Sequence, residues 1–320
     1  MKIILITGCA GFIGTNLCLR ILKDFPSVNI IGVDNLLTSA EPTIRNDRFQ
    51  FIKCDIVTEA ERLLDLPKID EIYHLASIAS PPKYKKYPIE TLNVNVLGTK
   101  NMLDLAVMKG AKFLLTSTSE VYGDPLEHPQ KESYYGNVNT VGSRSCYDES
   151  KRCAETYVYE YRRKYCNAGN HFKICRIFNT YGPHMDIDDG RVVTNIIKRI
   201  IENKPITIYG DGTQTRSFCY IDDMVDGLLS LMASDEAGPI NLGNPDTECS
   251  MNELVGIFET VIGFKHIKIY EDRTENDPML RKPDIGEARR LLGFCPKIGL
   301  EEGLHKTIVH FAKTSSYEST

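Results

Sequence analysis

Lys2-Ile3-Ile4-Leu5-Ile6-Thr7-Gly8-Cys9-Ala10-Gly11-Phe12-Ile13-Gly14 opens the chain. Residues 2–6, apolar without a break after Lys2, have the pattern of a strand buried on both faces of a parallel sheet. Glycines at 8, 11 and 14 follow at once, and a helical pattern then covers residues 15–23. Between a strand and a helix, three such glycines make a tight turn, let a pyrophosphate approach the backbone, and bring helix and strand close. Gly8, Gly11, Phe12, Ile13 and Gly14 are therefore expected to hold a dinucleotide. A second strand, residues 29–33, ends at Asp34, twenty residues past Gly14. A carboxylate there accepts hydrogen bonds from the adenosine ribose hydroxyls. No Arg or Lys lies between Asn35 and Glu41 to meet a 2′-phosphate, so NAD is expected rather than NADP, with Asn35 beside it.

The α/β alternation continues outward from this stretch. A strand over 49–53 leads to Asp55 and Ile56, expected near the adenine. A strand over 69–75 leads to Leu75-Ala76-Ser77, small enough at its end for a cofactor to approach the backbone. Residues 80–88 read as a loop, whose lysines are either solvated or an attraction for an anionic substrate. A helix over 89–109 and a strand over 111–116 follow, which puts Thr118 and Glu120 at a strand's carboxyl end, the edge where open α/β sheets bind ligands. Tyr147 and Lys151 are four apart at the head of a helix over 147–165, so both face one way. An ammonium beside a phenol favours the phenolate, which makes a general base of a group that ordinarily titrates near ~10. Past a strand over 172–177 the pattern becomes a mixture. It has helices over 191–202, 250–262, 285–292 and 300–311, and short strands over 206–209, 239–242 and 267–270. Asp222 is expected to cap one more helix, and the polar residues 314–320 to fray. The expected fold is α/β: a Rossmann-type doubly wound parallel sheet with a smaller C-terminal α/β substrate lobe.

Composition narrows the partners. A net charge of -5 implies no basic face for nucleic acid. The ten cysteines are scattered without a CxxC pair or metal-ligand spacing, so no metal is expected. No apolar run approaches the ~18 residues of a membrane span. With no signal-peptide pattern at its start, the chain is expected in a reducing cytosol.

The glycine turn, Ser117-Thr118-Ser119-Glu120 and the Tyr147/Lys151 helix, taken in this order, resemble the extended short-chain dehydrogenase/reductase superfamily over nearly the whole chain. Residues 74–82, 116–125, 176–183, 189–193, 214–216 and 281–285 are similar to the UDP-glucuronic acid decarboxylase family. The resemblance implies NAD-dependent decarboxylation of UDP-glucuronate through a 4-keto intermediate. Tyr147 would take the 4-hydroxyl proton, Lys151 hold the cofactor ribose and depress the tyrosine pKa, Thr118 bond the same oxygen, and Glu120 orient the sugar or relay a proton. Arg281 would face the sugar and hold its carboxylate or stabilise the enolate. Ser119, Asn179, Arg191, Tyr209 and Arg216 would complete the UDP-sugar pocket. Residues 1–178, with a return at about 215–249, would form the NAD half, and 179–320 mainly the substrate lobe. Helices over 93–109 and 147–165 would pair two copies through a four-helix bundle. Two neighbouring enzyme readings compete. A 4,6-dehydratase needs an acid where Ser119 stands, since a serine hydroxyl is a poor acid at neutral pH, and a simple 4-epimerase has no use for Arg281. A non-catalytic NAD sensor would need neither Thr118, Tyr147 nor Lys151.

Overall fold

Seven parallel strands form the central sheet in a computed structural model, which describes residues 1–165, 171–272 and 278–317. They are β1 (Lys2–Thr7), β2 (Val28–Asp34), β3 (Phe49–Lys53), β4 (Glu71–His74), β5 (Lys112–Thr118), β6 (Phe172–Ile177) and, after four short strands, β11 (Ile240–Leu242). The short ones are β7 (Thr180–Tyr181), β8 (Ile206–Tyr209), β9 (Thr215–Arg216) and β10 (Cys219–Tyr220). The order across the sheet is β11-β6-β5-β4-β1-β2-β3. The chain winds one way from β1 to β3 and the other way from β4 onward. A crevice therefore opens at the carboxyl ends of β1 and β4.

Alternation along the strands feeds two cores. Ile4, Ile6, Ile30, Tyr73, Leu114 and Cys175 face α1 (Phe12–Asp24) and, later in the chain, Leu228 and Leu231. Leu5, Ile31, Ile72, Phe113, Leu115 and Ile174 face Met102, Leu103 and Ala106, and also Ala154 and Val158. Each fully buried side chain of this size contributes about 1.5–3 kcal/mol.

Residues 80–88, expected as a loop, are helical instead: α2 (Pro81–Lys86) and α3 (Pro88–Asn93) each begin with proline in the first turn. Proline there has the required φ and no N–H to leave unpaired. Lys83 is half-buried at the cavity wall, where Nζ donates to Thr38 O at 2.8 Å and pairs with Asp186 at 2.6 Å, whereas Lys85 and Lys86 are exposed. The helix expected over 89–109 is broken by a π-helical turn, Val94–Gly98, before α4 (Thr99–Lys109). Such turns often mark functional sites, and Asn93 and Val94 line the crevice.

The remaining helices are α5 (Ser145–Tyr165), α6 (Val192–Ile201), α7 (Ile221–Ala233), α8 (Met251–Ile262), α9 (Gly286–Leu292) and α10 (Leu300–Tyr317). Asp222 does not cap α7. Tyr220 holds the cap position without a side-chain bond, and the neighbouring Asp223 accepts from Lys297 N and Ile298 N. α10 runs on through Tyr317, so the fraying expected from 314 does not begin there, and 318–320 lie outside the described residues. β12 (Cys249–Ser250), β9 and β14 (Leu280–Arg281) make a small sheet in which Arg281 pairs with Arg216; β8 pairs with β13 (Lys268–Glu271). Nine cysteines are free, and Cys166 lies outside the described residues. Among the described residues no helix is long and apolar enough to cross a membrane, and no cluster of His, Cys, Asp or Glu is suited to a metal.

Candidate active site

The crevice is a cavity of about 1350 Å³. That exceeds the ~300–1,000 Å³ usual for one small molecule, so two ligands fit. Every site residue expected from the sequence lines it except Arg281.

At the β1–α1 turn, a Cβ on Gly8 would lie 2.7 Å from Ala76 N and one on Gly14 2.2 Å from Gly8 O, so both must be glycine. A Cβ on Gly11 would meet only Gly8 O, at 3.3 Å, so this glycine keeps the cavity floor open. α1 has no side-chain cap and no acidic residue in its first turn, which leaves its N-terminal dipole for an anion. Asp34 Oδ1 accepts from Leu36 N at 2.9 Å and Ser39 Oγ at 3.3 Å, while Oδ2 accepts, among the described residues, only from Ala10 N at 3.1 Å and has a lone pair to spare for a hydroxyl. Asn35 Nδ2 donates to Asp55 at 3.0 Å, fixing both at the cavity wall beside Ile56. Leu75, Ala76 and Ser77 form the opposite rim, and Ser77 Oγ is buried with no partner, a hydroxyl left for a ligand. These features fit a dinucleotide.

β5 ends at Thr118, whose hydroxyl accepts from Glu120 N at 3.2 Å and starts the tight turn Ser119–Tyr122. Tyr147 and Lys151 share the buried inner face of α5. Lys151 Nζ donates to Thr116 O at 2.9 Å, and burial pushes Tyr147 up to about 12, opposed by a hydrogen bond from Thr118. Burial likewise pushes Lys151 down to about 8. The Tyr84 ring from α2 covers the Tyr147 ring.

Glu120 is the electrostatic centre. One oxygen meets Arg281 Nη1 at 3.0 Å, and the other accepts from Arg144 Nη2. Burial raises its pKa, but Arg144, Arg281 and Arg216 outweigh that and hold it down at about 2. Arg281 does not face the sugar site as expected. It is buried behind the turn, where Nη1 donates to Ser119 Oγ at 3.0 Å and Nη2 to Gly123 O at 2.9 Å. The β14–β9 ladder holds it there, so it supports Glu120 and Ser119 from behind. Arg144 lines the cavity instead. Reading the sequence missed it, although it stands only three residues before Tyr147. Asp148 was missed too: burial and the charge of Glu120 push it up to about 7, and Oδ1 is buried without a partner.

Across the cavity, Asn179, Arg191, Tyr209 and Arg216 come from four separate segments. Arg191 precedes α6 and is held by both oxygens of Asp189. Arg216 donates to Thr215 O and Pro278 O, each at 2.8 Å. Gln214 Nε2 donates to Tyr209 O at 2.8 Å, and the Tyr209 side chain is half exposed.

Residues 4–243 match the NAD dependent epimerase/dehydratase family. UDP-glucuronic acid decarboxylase 1 of Arabidopsis thaliana is 49% identical over 312 residues, 96% of this chain and 69% of that protein. UDP-glucuronic acid decarboxylase 1 of Xenopus tropicalis is 45% identical over 322 residues, 99% of this chain and 74% of that protein. The crystal structure of UDP-glucuronic acid 4-epimerase from Bacillus cereus, in complex with UDP-glucuronic acid and NAD, superposes with a TM-score of 0.84 at 29% identity, covering 98% of this chain and all of that one. UDP-glucose 4-epimerase from Thermotoga maritima, with UDP-glucose, reaches 0.90 at 28%, again over 98% and 100%.

Proposed function

The chain belongs to the NAD dependent epimerase/dehydratase family, and from that premise we infer that it is an enzyme that uses NAD to convert UDP-glucuronate to UDP-xylose and CO2. The observation that carries the reading within the site is the Glu120 carboxylate set between Arg144 and Arg281 beside Tyr147, with a serine at 119. Elimination of water would need an acid at 119. Loss of CO2 needs none. The decarboxylases are 45–49% identical to this chain and the 4-epimerases 28–29%, which favours the same reading.

NAD+, when bound, accepts the C4 hydride of the sugar and gives it back. Gly8, Gly11, Phe12, Ile13 and Gly14 hold its pyrophosphate, Asp34 and Asn35 its adenosine ribose, Asp55 and Ile56 its adenine, and Leu75, Ala76 and Ser77 its inner rim. Tyr147 Oη takes the proton from the 4-hydroxyl, and Thr118 bonds the same oxygen. For that step Tyr147 must stand as the phenolate, which burial opposes and the hydrogen bond from Thr118 favours. Lys151, one turn along, is the cation for the cofactor ribose. The 4-ketone makes the sugar a β-keto acid, so the C5–C6 bond breaks and its electron pair enters an enolate. Fixed cations stabilise such developing charge best when desolvated. A proton added at C5, hydride return at C4 and proton return from Tyr147 to O4 complete UDP-xylose, with one proton taken up overall. Asn179, Arg191, Tyr209 and Arg216 hold the UDP portion, arginine forks suiting a diphosphate.

The same reading gives the NAD half as residues 1–178 with the return at about 215–249, and the substrate lobe as mainly 179–320. It also gives a homodimer joined through the helices over 93–109 and 147–165, which the exposed Leu97, Met108 and Tyr159 support. A reducing cytosol agrees with the nine unpaired cysteines.

Proton NMR of the protein with UDP-glucuronate and catalytic NAD+ tests the reaction. UDP-xylose without net NADH is expected. A protein inert toward UDP-glucuronate that makes a 4-keto-6-deoxy sugar from UDP- or dTDP-glucose overturns the assignment.

A further inference from the structure

Asp186, Asp188 and Asp189 stand in the loop between β7 and α6, and each meets a cation. Lys83 of α2 pairs with Asp186 at 2.6 Å, Lys198 of α6 pairs with Asp188, and both oxygens of Asp189 hold Arg191. Lys83 Nζ also donates to Thr38 O at 2.8 Å, in the loop that follows Asp34. One ammonium therefore ties three chain segments, at residues 38, 83 and 186, and all three line the cavity.

The ion pair is only part of the joint. Alone, a pair whose carboxylate is 45% exposed contributes little. Beside it, Ser80 Oγ donates to Asp189 O at 2.6 Å in a buried bond. A Cβ on Gly190 would collide with the Pro82 ring, so the loop is pressed onto the first turn of α2. Asp186 Oδ1 accepts from Asp188 N at 2.9 Å, which leaves Oδ2 for Lys83. Burial raises the Asp186 pKa, but the Lys83 ammonium and the Asp188 N–H bring it below its ordinary value, so the pair stays charged at neutral pH. The residues that fit a dinucleotide run from Asp34 to Lys151 along this cavity. The joint fastens the Thr38 end of that path to the loop that carries Arg191.

We propose that Lys83, with Ser80 and Pro82, clasps the 186–190 loop across the cofactor's way out, so that the cofactor stays in the cavity until the hydride is returned and the sugar leaves as the alcohol, not the ketone. Lys83 touches no reacting atom and acts by holding the loop. The fate of the sugar rests on the decarboxylase reading above, whereas the clasp does not. When the clasp opens early, each CO2 lost leaves one free NADH and one UDP-4-keto pentose: the C4 hydride departs on the cofactor, and a proton takes the place of CO2 at C5.

The test compares wild type with Lys83→Met, Lys83→Arg and Gly190→Ala. Radiolabelled NAD+ on the protein is chased with excess unlabelled NAD+ without sugar, and the products from UDP-glucuronate are read by proton NMR. Lys83→Met is expected to release label about tenfold faster than wild type, as for the loss of one charge-assisted hydrogen bond. It is also expected to spill UDP-4-keto pentose with an equal amount of NADH. Lys83→Arg keeps a cation with donors for both Thr38 O and Asp186, and is expected to restore retention. Gly190→Ala moves the loop off Pro82 with Lys83 intact, and is expected to release label faster as well. Release at the wild-type rate in both Lys83→Met and Gly190→Ala overturns the clasp, even where both melt at a lower temperature. Wild type inert toward UDP-glucuronate overturns the decarboxylase reading alone, since the chase decides the clasp without a sugar.

Discussion

The Tyr84 ring lies flat against the Tyr147 ring, with centroids 5.4 Å apart and planes within 7°. Tyr84 comes from α2 and is buried, yet its hydroxyl has no partner. The ring is what holds Tyr147 in place; the hydroxyl is a cost. Tyr84→Phe keeps the stack and removes a buried unpaired group, so it is expected to stabilise the protein by about 1 kcal/mol with turnover near wild type. Tyr84→Ala leaves a cavity costing about 3–5 kcal/mol and frees Tyr147 to turn, so kcat falls as well. Thermal melts and turnover of both variants check the pair.

Gly11 and Gly14 separate binding from folding. A Cβ at Gly14 collides with Gly8 O and Cys9 Cα, so Gly14→Ala is expected to lose the native β1–α1 turn. A Cβ at Gly11 meets only Gly8 O, at 3.3 Å, a tight contact but far milder than the overlap at Gly14, and it stands at the cavity floor. Gly11→Ala is expected to melt close to wild type while NAD affinity falls at least tenfold. Calorimetric titration with NAD+, set beside the melting curve, checks this; unchanged affinity places the pyrophosphate elsewhere.

Periodicity and punctuation made most of the sheet legible. Runs such as 2–6, apolar after Lys2, and 172–177, apolar apart from Lys173 and Arg176, suit buried strands, and glycines at 8, 11 and 14 fit only one kind of turn. Residues 80–88 were not legible, because Pro81-Pro82 and Pro88 look like breakers in a string yet sit at the first turns of α2 and α3. The lining of the cavity followed from the motifs. The direction of Arg281 did not, since it depends on a ladder between β9 and β14, 65 residues apart, that no local pattern reports. Arg144 went unseen for a different reason: a lone arginine in a polar stretch reads as surface until Glu120 is known to face it.

His74 makes stability depend on pH. Its ring is buried between Thr7 Oγ1 at 2.8 Å and Thr99 Oγ1 at 3.1 Å, and burial, with Lys151 nearby, pushes its pKa down to about 3. The unfolded chain takes up a proton near 6.5 while the folded one does not. The contribution is therefore complete above about 6.5 and is lost as pH falls from there toward 3, by about 1.4 kcal/mol per unit. Between pH 7 and 5 the melting temperature is expected to fall. In His74→Gln, which keeps polar atoms for the two threonines, that part of the slope is expected to vanish. A variant with the wild-type slope removes His74 as the cause.

Arg281 and Glu120 make stability fall in the same direction, at lower pH. The Glu120 pKa is held below its ordinary value, so its contribution to stability is present above the unfolded carboxyl range, near ~4.3, and is lost as pH falls toward about 2. Arg281→Met has similar bulk but leaves Ser119, Gly123 O and one oxygen of Glu120 without their cation. Breaking a buried pair from one side costs about 3–5 kcal/mol, and the lower end is expected here because Arg144 still holds Glu120. The Glu120 pKa then rises, so the acid limb of kcat/KM is expected to move to higher pH, whereas inhibition by UDP-xylose stays near wild type. A pH–rate profile with melting curves at pH 4 and 7 separates this from general damage: an unmoved acid limb with lowered stability reduces Arg281 to a packing role.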